Sequence, residues 1–181
     1  SGLRVALAGD YFTRGAEPEA YDAVRRVAAA LDVRREVAIP QAARARAAAF
    51  IVTASEGANL HLADLKRRAG DFDPLTRDRF LAGALVPASW YLQAQRFRRW
   101  YCARLAALFR EVDVIVAPAT PCVAPPIGTD TIVLAGVETA KRSNLGMFTQ
   151  PISFAGLPVL AVPVARPEGL PIGVQLIAAP Y

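Results

Sequence analysis

The stretch Asn144-Leu-Gly-Met-Phe-Thr-Gln-Pro-Ile-Ser-Phe-Ala-Gly-Leu-Pro-Val-Leu-Ala-Val-Pro-Val164, continued by Ala165-Arg-Pro-Glu-Gly-Leu-Pro-Ile-Gly-Val-Gln-Leu-Ile-Ala-Ala-Pro-Tyr181, decides the fold. Two apolar runs, Val159 to Val164 and Ile172 to Ala178, flank a turn at Pro167-Glu168-Gly169. Apolar runs of that length bounded by Pro and Gly read as strands buried on both faces. The Arg-Pro-Glu-Gly connection is short enough for an antiparallel hairpin. These strands are therefore expected at the centre of an α/β core.

The composition bounds what that core can be. A chain of 181 residues, 54% hydrophobic, can bury one substantial core, covering roughly 70% of its unfolded surface. No apolar stretch approaches the roughly 20 residues a membrane-spanning helix needs. Ser1 opens the chain without a starting Met or a signal-peptide pattern, as expected of a piece of a longer polypeptide. Cys102 and Cys122 give neither a disulfide framework nor metal spacing, so a cytoplasmic setting is expected. The net charge of +5 is nearly all arginine, since Lys66 and Lys141 are the only lysines. Those arginines are interleaved with acids rather than gathered in a basic stripe with aromatics, which argues against nucleic acid.

Upstream, Leu3 to Ala8, Glu17 to Leu31 and Val33 to Ile39 read as strand, helix and strand. Gly9 lacks the G-x-G-x-x-G pattern of a dinucleotide loop, so this is a plain βαβ unit at a sheet edge. Gln41 to Arg68 is Ala-rich and helical by propensity. It contains the only histidine, His61, which is read as structural despite being the one ready base near neutral pH. Asp73 is placed to cap a helix whose first residue is Pro74, running to about Gly83. Asp71 and Asp73 are read as cap and turn rather than as a metal or acid/base pair. From Pro87 to Arg110, Trp90, Ala94, Phe97, Tyr101, Leu105 and Leu108 form one helical stripe. Arg98 lies at the stripe's edge and Arg99 opposite it. Val112 to Val116 is a buried strand leading into a Pro-rich loop. Cys122 in that loop has no neighbouring His and reads as a packed thiol. Thr131 to Ala135 is a short strand, and Val137 to Arg142 leads back to the opening stretch.

Thr149-Gln150-Pro151, Ala155-Gly156-Leu157-Pro158, Val162-Pro163 and Gly169-Leu170-Pro171-Ile172-Gly173-Val174-Gln175-Leu176-Ile177 together resemble the C-terminal signature of the amidase signature family. Many ordered Gly and Pro positions coincide over about forty residues. The resemblance implies an α/β fold, a mixed β-sheet covered by helices in an α/β/α sandwich, with residues 1–181 its C-terminal portion. The family contains Ser-Ser-Lys amidohydrolases and the A subunit of tRNA-dependent amidotransferases. Thr53-Ala54-Ser55-Glu56-Gly57-Ala58-Asn59-Leu60 resembles the family's Glu/Asn-Leu segment beside the substrate cleft, which makes Asn59 a candidate substrate contact. Gln95-Arg96-Phe97-Arg98 resembles the family's Gln-x-x-Arg step, which implies that Arg98 grips an acidic substrate. The segments Leu3-Arg4-Val5-Ala6, Ala43 to Phe50 and Gln95 to Arg99 are most similar to the carboxybiuret hydrolase branch.

Amide hydrolysis needs an activated nucleophile, a base and oxyanion donors. The family takes these from a Lys and two Ser in a Gly/Ser-rich loop. None of the five serines here (Ser1, Ser55, Ser89, Ser143, Ser153) stands in such a run, and no S-x-x-K or G-x-S-x-G occurs. The expectation is a chain without catalytic residues, metal or cofactor, forming the recognition portion of a hydrolase of small amide or urea-type C–N bonds. The alternatives are a standalone binding module and the amidotransferase A subunit. The partners implied are a small-molecule amide and either a second copy of the chain or a small partner subunit, with no membrane and no nucleic acid. A truncated sheet would leave an apolar face and an edge exposed.

Overall fold

A computed structural model describes residues 2–180. Its strands are β1 (Val5–Ala8), β2 (Glu36–Val37), β3 (Val114–Pro118), β4 (Thr131–Leu134), β5 (Val137–Ala140), β6 (Val159–Val164) and β7 (Ile172–Ala178). Its helices are α1 (Pro18–Ala30), α2 (Ala42–Arg68), α3 (Pro74–Ala84), α4 (Ala88–Leu108), α5 (Lys141–Asn144) and α6 (Gln150–Ala155), with short 3-10 turns at Asp10–Thr13 and Ala69–Asp71. Five strands form a mixed sheet in the order β2-β1-β3-β7-β6. β1 is parallel to both β2 and β3, while β7 runs antiparallel to β3 and to β6.

The register divides the sheet into two faces. Leu7 opposite Val116, and Pro118 opposite Val174, point toward α1. Ile115 opposite Ile177, and Ala117 opposite Gln175, point the other way, since side chains alternate along a strand. That second side carries Phe148 and the entrance to α6. Residues of α2, α4 and α6 join the strand residues in one continuous core, which includes Tyr101, Leu105, Phe148 and Ile152.

β6 and β7 form the expected hairpin, but only β7 is central. β6 lies at the sheet edge, and Leu160 on it is 62% exposed. The expectation that Val159 to Val164 is buried on both faces is therefore corrected. Its composition is that of a buried strand, yet among the described residues no neighbour covers its outer side.

Local rules account for some helix boundaries. The Asp73 carboxylate accepts from Thr76 N at 2.9 Å, and Pro74 takes the first helical position of α3, where its missing N–H costs nothing. α6 stops at Gly156, whose φ of +74° places it in the left-handed region that glycine enters without a Cβ penalty. α2 and α3 pack tightly at Gly83, where an added Cβ would lie 2.1 Å from Ala54 O.

The stripe on α4 is buried at Ala94, Tyr101 and Leu105 but not at Trp90, which is 57% exposed at the helix's first turn. The short strand at Thr131 pairs with β5, a partner that the sequence pattern of residues 137–142 does not announce. Its two turn residues, Ala135 and Gly136, both have positive φ, the requirement of a tight type I′ hairpin. Ala135 is not a usual residue there. Its N–H donates to Glu17 Oε1 at 2.7 Å.

Candidate functional site

Helices α2, α3, α4 and α6 meet around a cavity of about 450 Å³ lined by Thr53, Glu56, Arg79, Arg98, Gln150 and Ser153 among others. α2 contributes Thr53 and Glu56, one helical turn apart on the same face. α3 contributes Arg79, α4 contributes Arg98, and α6 contributes Gln150 and Ser153.

Arg98 is half-buried. Its Nε donates to Phe154 O at 2.7 Å and its guanidinium lies 5.7 Å from the Phe154 ring centroid. One edge of the fork is thus fixed by a backbone carbonyl and a ring face, and among the described residues no carboxylate pairs with it. Arg79 donates to Thr53 Oγ1 and lies 5.2 Å from the Phe50 ring centroid. It too has no acidic partner among the described residues. By contrast, Arg4, Arg35, Arg68 and Arg142 are all engaged by acids.

The one carboxylate in the cavity wall is Glu56. Its Oε1 accepts from Tyr91 Oη at 2.8 Å and from Gln95 Nε2 at 3.2 Å. The cavity therefore offers two guanidinium forks, an already hydrogen-bonded carboxylate, and the amide and hydroxyl groups of Gln150 and Ser153. Such forks match a planar carboxylate bidentately.

Asn59 lines a neighbouring cavity of about 550 Å³ with Ser55, Glu56, Leu60, Val86, Ala88 and Tyr91. Arg98 and Asn59 do not share a cavity. Glu56 lies in the walls of both and is the link between them.

Sequence reasoning missed Arg79. It stands nineteen positions from Arg98 on another helix, and the packing of α3 and α4 against α2 brings the two side chains to the walls of one cavity. The one available signal was the small residues at Gly57 and Gly83, which mark where helices can approach. Gln150 belongs to the Thr149-Gln150-Pro151 signature, but nothing in that tripeptide marks it as a cavity residue.

The remaining candidates are occupied elsewhere. His61 stacks on Phe80 with ring centroids 5.4 Å apart and meets Phe72 edge-on, between α2 and α3. Asp71 pairs with Arg68, and Asp73 with Arg142 as well as with its cap. Among the described residues no three His, Cys, Asp or Glu side chains converge as metal ligands. Burial pushes the Cys122 thiol up, away from the thiolate a nucleophile needs. No described helix is long and apolar enough to cross a membrane.

Comparison with known proteins identifies the family of the chain. AtzE, a 1-carboxybiuret hydrolase subunit of Pseudomonas sp. (strain ADP), is 50% identical over 183 residues, covering all of this chain and 40% of that protein. The A subunit of a glutamyl-tRNA(Gln) amidotransferase from Pseudomonas savastanoi pv. phaseolicola is 31% identical, covering 99% of this chain and 42% of its own length. Among solved structures, an inhibitor-bound complex described as a vestigial protein complex revealing the evolutionary origins of an s-triazine catabolic enzyme superposes with a TM-score of 0.96. It is 51% identical and covers all of this chain and 40% of that one. The chain thus spans about 40% of the length of such relatives. The Amidase family profile matches residues 1–181, and the chain belongs to that family.

Proposed function

We propose that this chain forms the substrate-recognition side of an amidase-signature hydrolase acting on the C–N bond of a small linear amide or urea-type molecule that carries a carboxylate. The observation that carries this reading is the Arg79–Arg98 cavity, where two cations meet without acidic partners among the described residues. A half-buried charge such as that of Arg98 is stabilised by compensation, and an incoming carboxylate supplies it. The 50% identity to a 1-carboxybiuret hydrolase subunit supports the same substrate class.

In this reading Arg98 grips the carboxylate with the part of its fork that Phe154 O leaves free, and Arg79 closes on it from α3. Glu56, an acceptor, takes an N–H of the urea-type group. Asn59 serves a longer substrate that reaches past Glu56 into the second cavity. The Lys and the two Ser that attack the carbonyl, and the donors that hold the oxyanion, come from polypeptide outside residues 1–181. The exposed edge at β6 is where such polypeptide, or a partner subunit, joins the sheet. Two unpaired cysteines suit a reducing compartment such as the cytoplasm. The amidotransferase reading is the weaker one, because identity to its A subunit is 31% against 50% for the hydrolase.

The test is hydrolysis by the longer polypeptide containing these residues. A carboxylated urea-type amide should be cleaved with a higher kcat/KM than its uncharged counterpart. Equal values for the two would remove the carboxylate from the reading, and glutamine-dependent amidation of a charged tRNA would favour the amidotransferase instead.

A further inference from the structure

Gln175 is the one buried amide or charged side chain of the described core, 1% exposed at the centre of β7, and its Oε1 has no hydrogen-bond partner among the described residues. A polar group so placed costs stability unless it is hydrogen-bonded. Its Nε2 donates to Pro118 O at 2.7 Å and to Phe148 O at 3.0 Å. Both neighbours are carbonyl acceptors, so they dictate which end of the amide faces them. Pro118 ends β3, and Phe148 begins the approach to α6. Gln175 therefore fastens a loop with no strand partner of its own to the central strand β3 and its neighbour β7.

The same loop and the two helices it joins are held at other points as well. Tyr11 Oη donates to Met147 O at 3.0 Å, and Arg46 donates to Ser143 O, Asn144 Oδ1 and Gln150 Oε1 at 2.7, 2.9 and 3.1 Å. Only the Gln175 contact lies wholly inside the core. Two residues past Phe148, α6 begins and sends Gln150 and Ser153 into the recognition cavity, while Phe154 O holds Arg98 Nε. A continuous path of named bonds joins β3, Gln175, Phe148, α6 and Arg98.

We propose that Gln175 is a positioning residue: by clamping Phe148 O to the end of β3 it sets α6, and through Phe154 O it sets the Arg98 guanidinium for a substrate carboxylate. This rests on the carboxylate reading of the cavity. A guanidinium displaced by about 1 Å loses a bidentate fit, which is how remote supports come to govern a site.

The experiment uses the longer hydrolase and measures the ratio of kcat/KM for a carboxylated urea-type amide to that for its uncharged counterpart. Gln175→Met keeps the volume and removes both donated bonds; the ratio is expected to fall at least tenfold, mainly through KM for the carboxylated substrate. Gln175→Glu, whose buried carboxyl stays protonated and donates to one carbonyl only, is expected to fall between Gln175→Met and wild type. A lowered melting temperature with the ratio unchanged would make Gln175 a stability residue and overturn the proposal. Failure of both variants to fold would overturn it too. Arg98→Ala is the control. If that variant collapses the ratio and Gln175→Met does not, only the positioning role fails; if Arg98→Ala leaves the ratio intact, the carboxylate reading itself fails.

Discussion

Removing the Arg98 guanidinium should weaken binding of a carboxylated substrate by an amount the structure bounds. Truncating one partner of a buried charge pair costs about 2–5 kcal/mol. Arg98 is half-buried, and its Nε is already committed to Phe154 O. Arg79 also stays in place to share the anion. Both features place the loss at the lower end, about 2–3 kcal/mol, or roughly 30- to 150-fold in kcat/KM at about 1.4 kcal/mol per decade. In the proposed reading the contact is to the substrate carboxylate and is made alike in ground and transition states. The loss should therefore appear in KM with kcat nearly unchanged. Arg98→Lys keeps the charge but loses the planar fork and the Nε anchor, so it should recover only part of the loss. The assay is steady-state hydrolysis by the longer polypeptide, carboxylated and uncharged substrates side by side. The uncharged substrate should be cleaved equally by wild type and variant. An Arg98→Ala enzyme with unchanged kcat/KM for the carboxylated substrate would mean that Arg98 does not hold the anion.

Other perturbations address separate parts of the molecule. Arg79→Ala should lower kcat/KM for the same substrate, and the Arg79→Ala/Arg98→Ala pair should fall short of the summed effects, because both side chains serve one anion; strict additivity would assign them to different ligands. Gly83→Ala drives a Cβ to 2.1 Å from Ala54 O and should destabilise by about 1–3 kcal/mol, the usual range for overpacking, seen as a lower denaturation midpoint; an unchanged midpoint would mean that α2 and α3 do not meet there. Hydrogen bonds from Arg4, and from the Thr76 side chain and backbone, hold the Asp113 and Asp73 carboxyls below the usual carboxylate range. Their stabilisation is present above the unfolded carboxylate value, about 3.9, and is lost as pH falls through the lowered folded values. The gap in melting temperature between wild type and Asp73→Ala or Asp113→Ala should therefore close in acid, and a gap independent of pH would contradict the ion-pair and cap assignments. Leu160→Lys on the exposed β6 edge should reduce self-association of the 181-residue chain in sedimentation; undiminished association would place the sticky surface elsewhere.

Much of the fold was legible because it is written in local chemistry. Asp73-Pro74 announces the start of α3 in two residues, and the α4 stripe follows from periodicity alone. The β6–β7 hairpin follows from two apolar runs and a Pro-Gly turn, and β1-α1-β2 was separable from a nucleotide-binding unit by the glycines it lacks. What was not legible depends on contacts distant in sequence. β6 has a buried strand's composition but occupies an edge, and composition does not say which neighbour is present. β5 is short and largely exposed, and its Ala-Gly turn lacks the Asn-Gly signal that marks most tight hairpins. Trp90 fits the stripe but sits on the first turn of α4, at the open rim of the groove between α4 and α2. At the site, Arg98 and Asn59 were each visible through local motifs, but their separation into two cavities and the presence of Arg79 in the wall of the Arg98 cavity are products of helix packing. Gln175 was visible as a letter in a motif. Its role needed the register that sets it opposite Ala117, with Phe148 above it.

Residues 1–181 recognise the substrate in this scheme, while the reactive groups belong to other polypeptide. That division of labour can be checked by comparing, at equal concentration, release of ammonia or amine from a carboxylated urea-type amide by the folded 181-residue chain and by the longer polypeptide that contains it. Turnover is expected from the longer polypeptide, and none above background from the 181-residue chain. Sustained turnover by the 181-residue chain alone would show that the reactive groups lie within it after all.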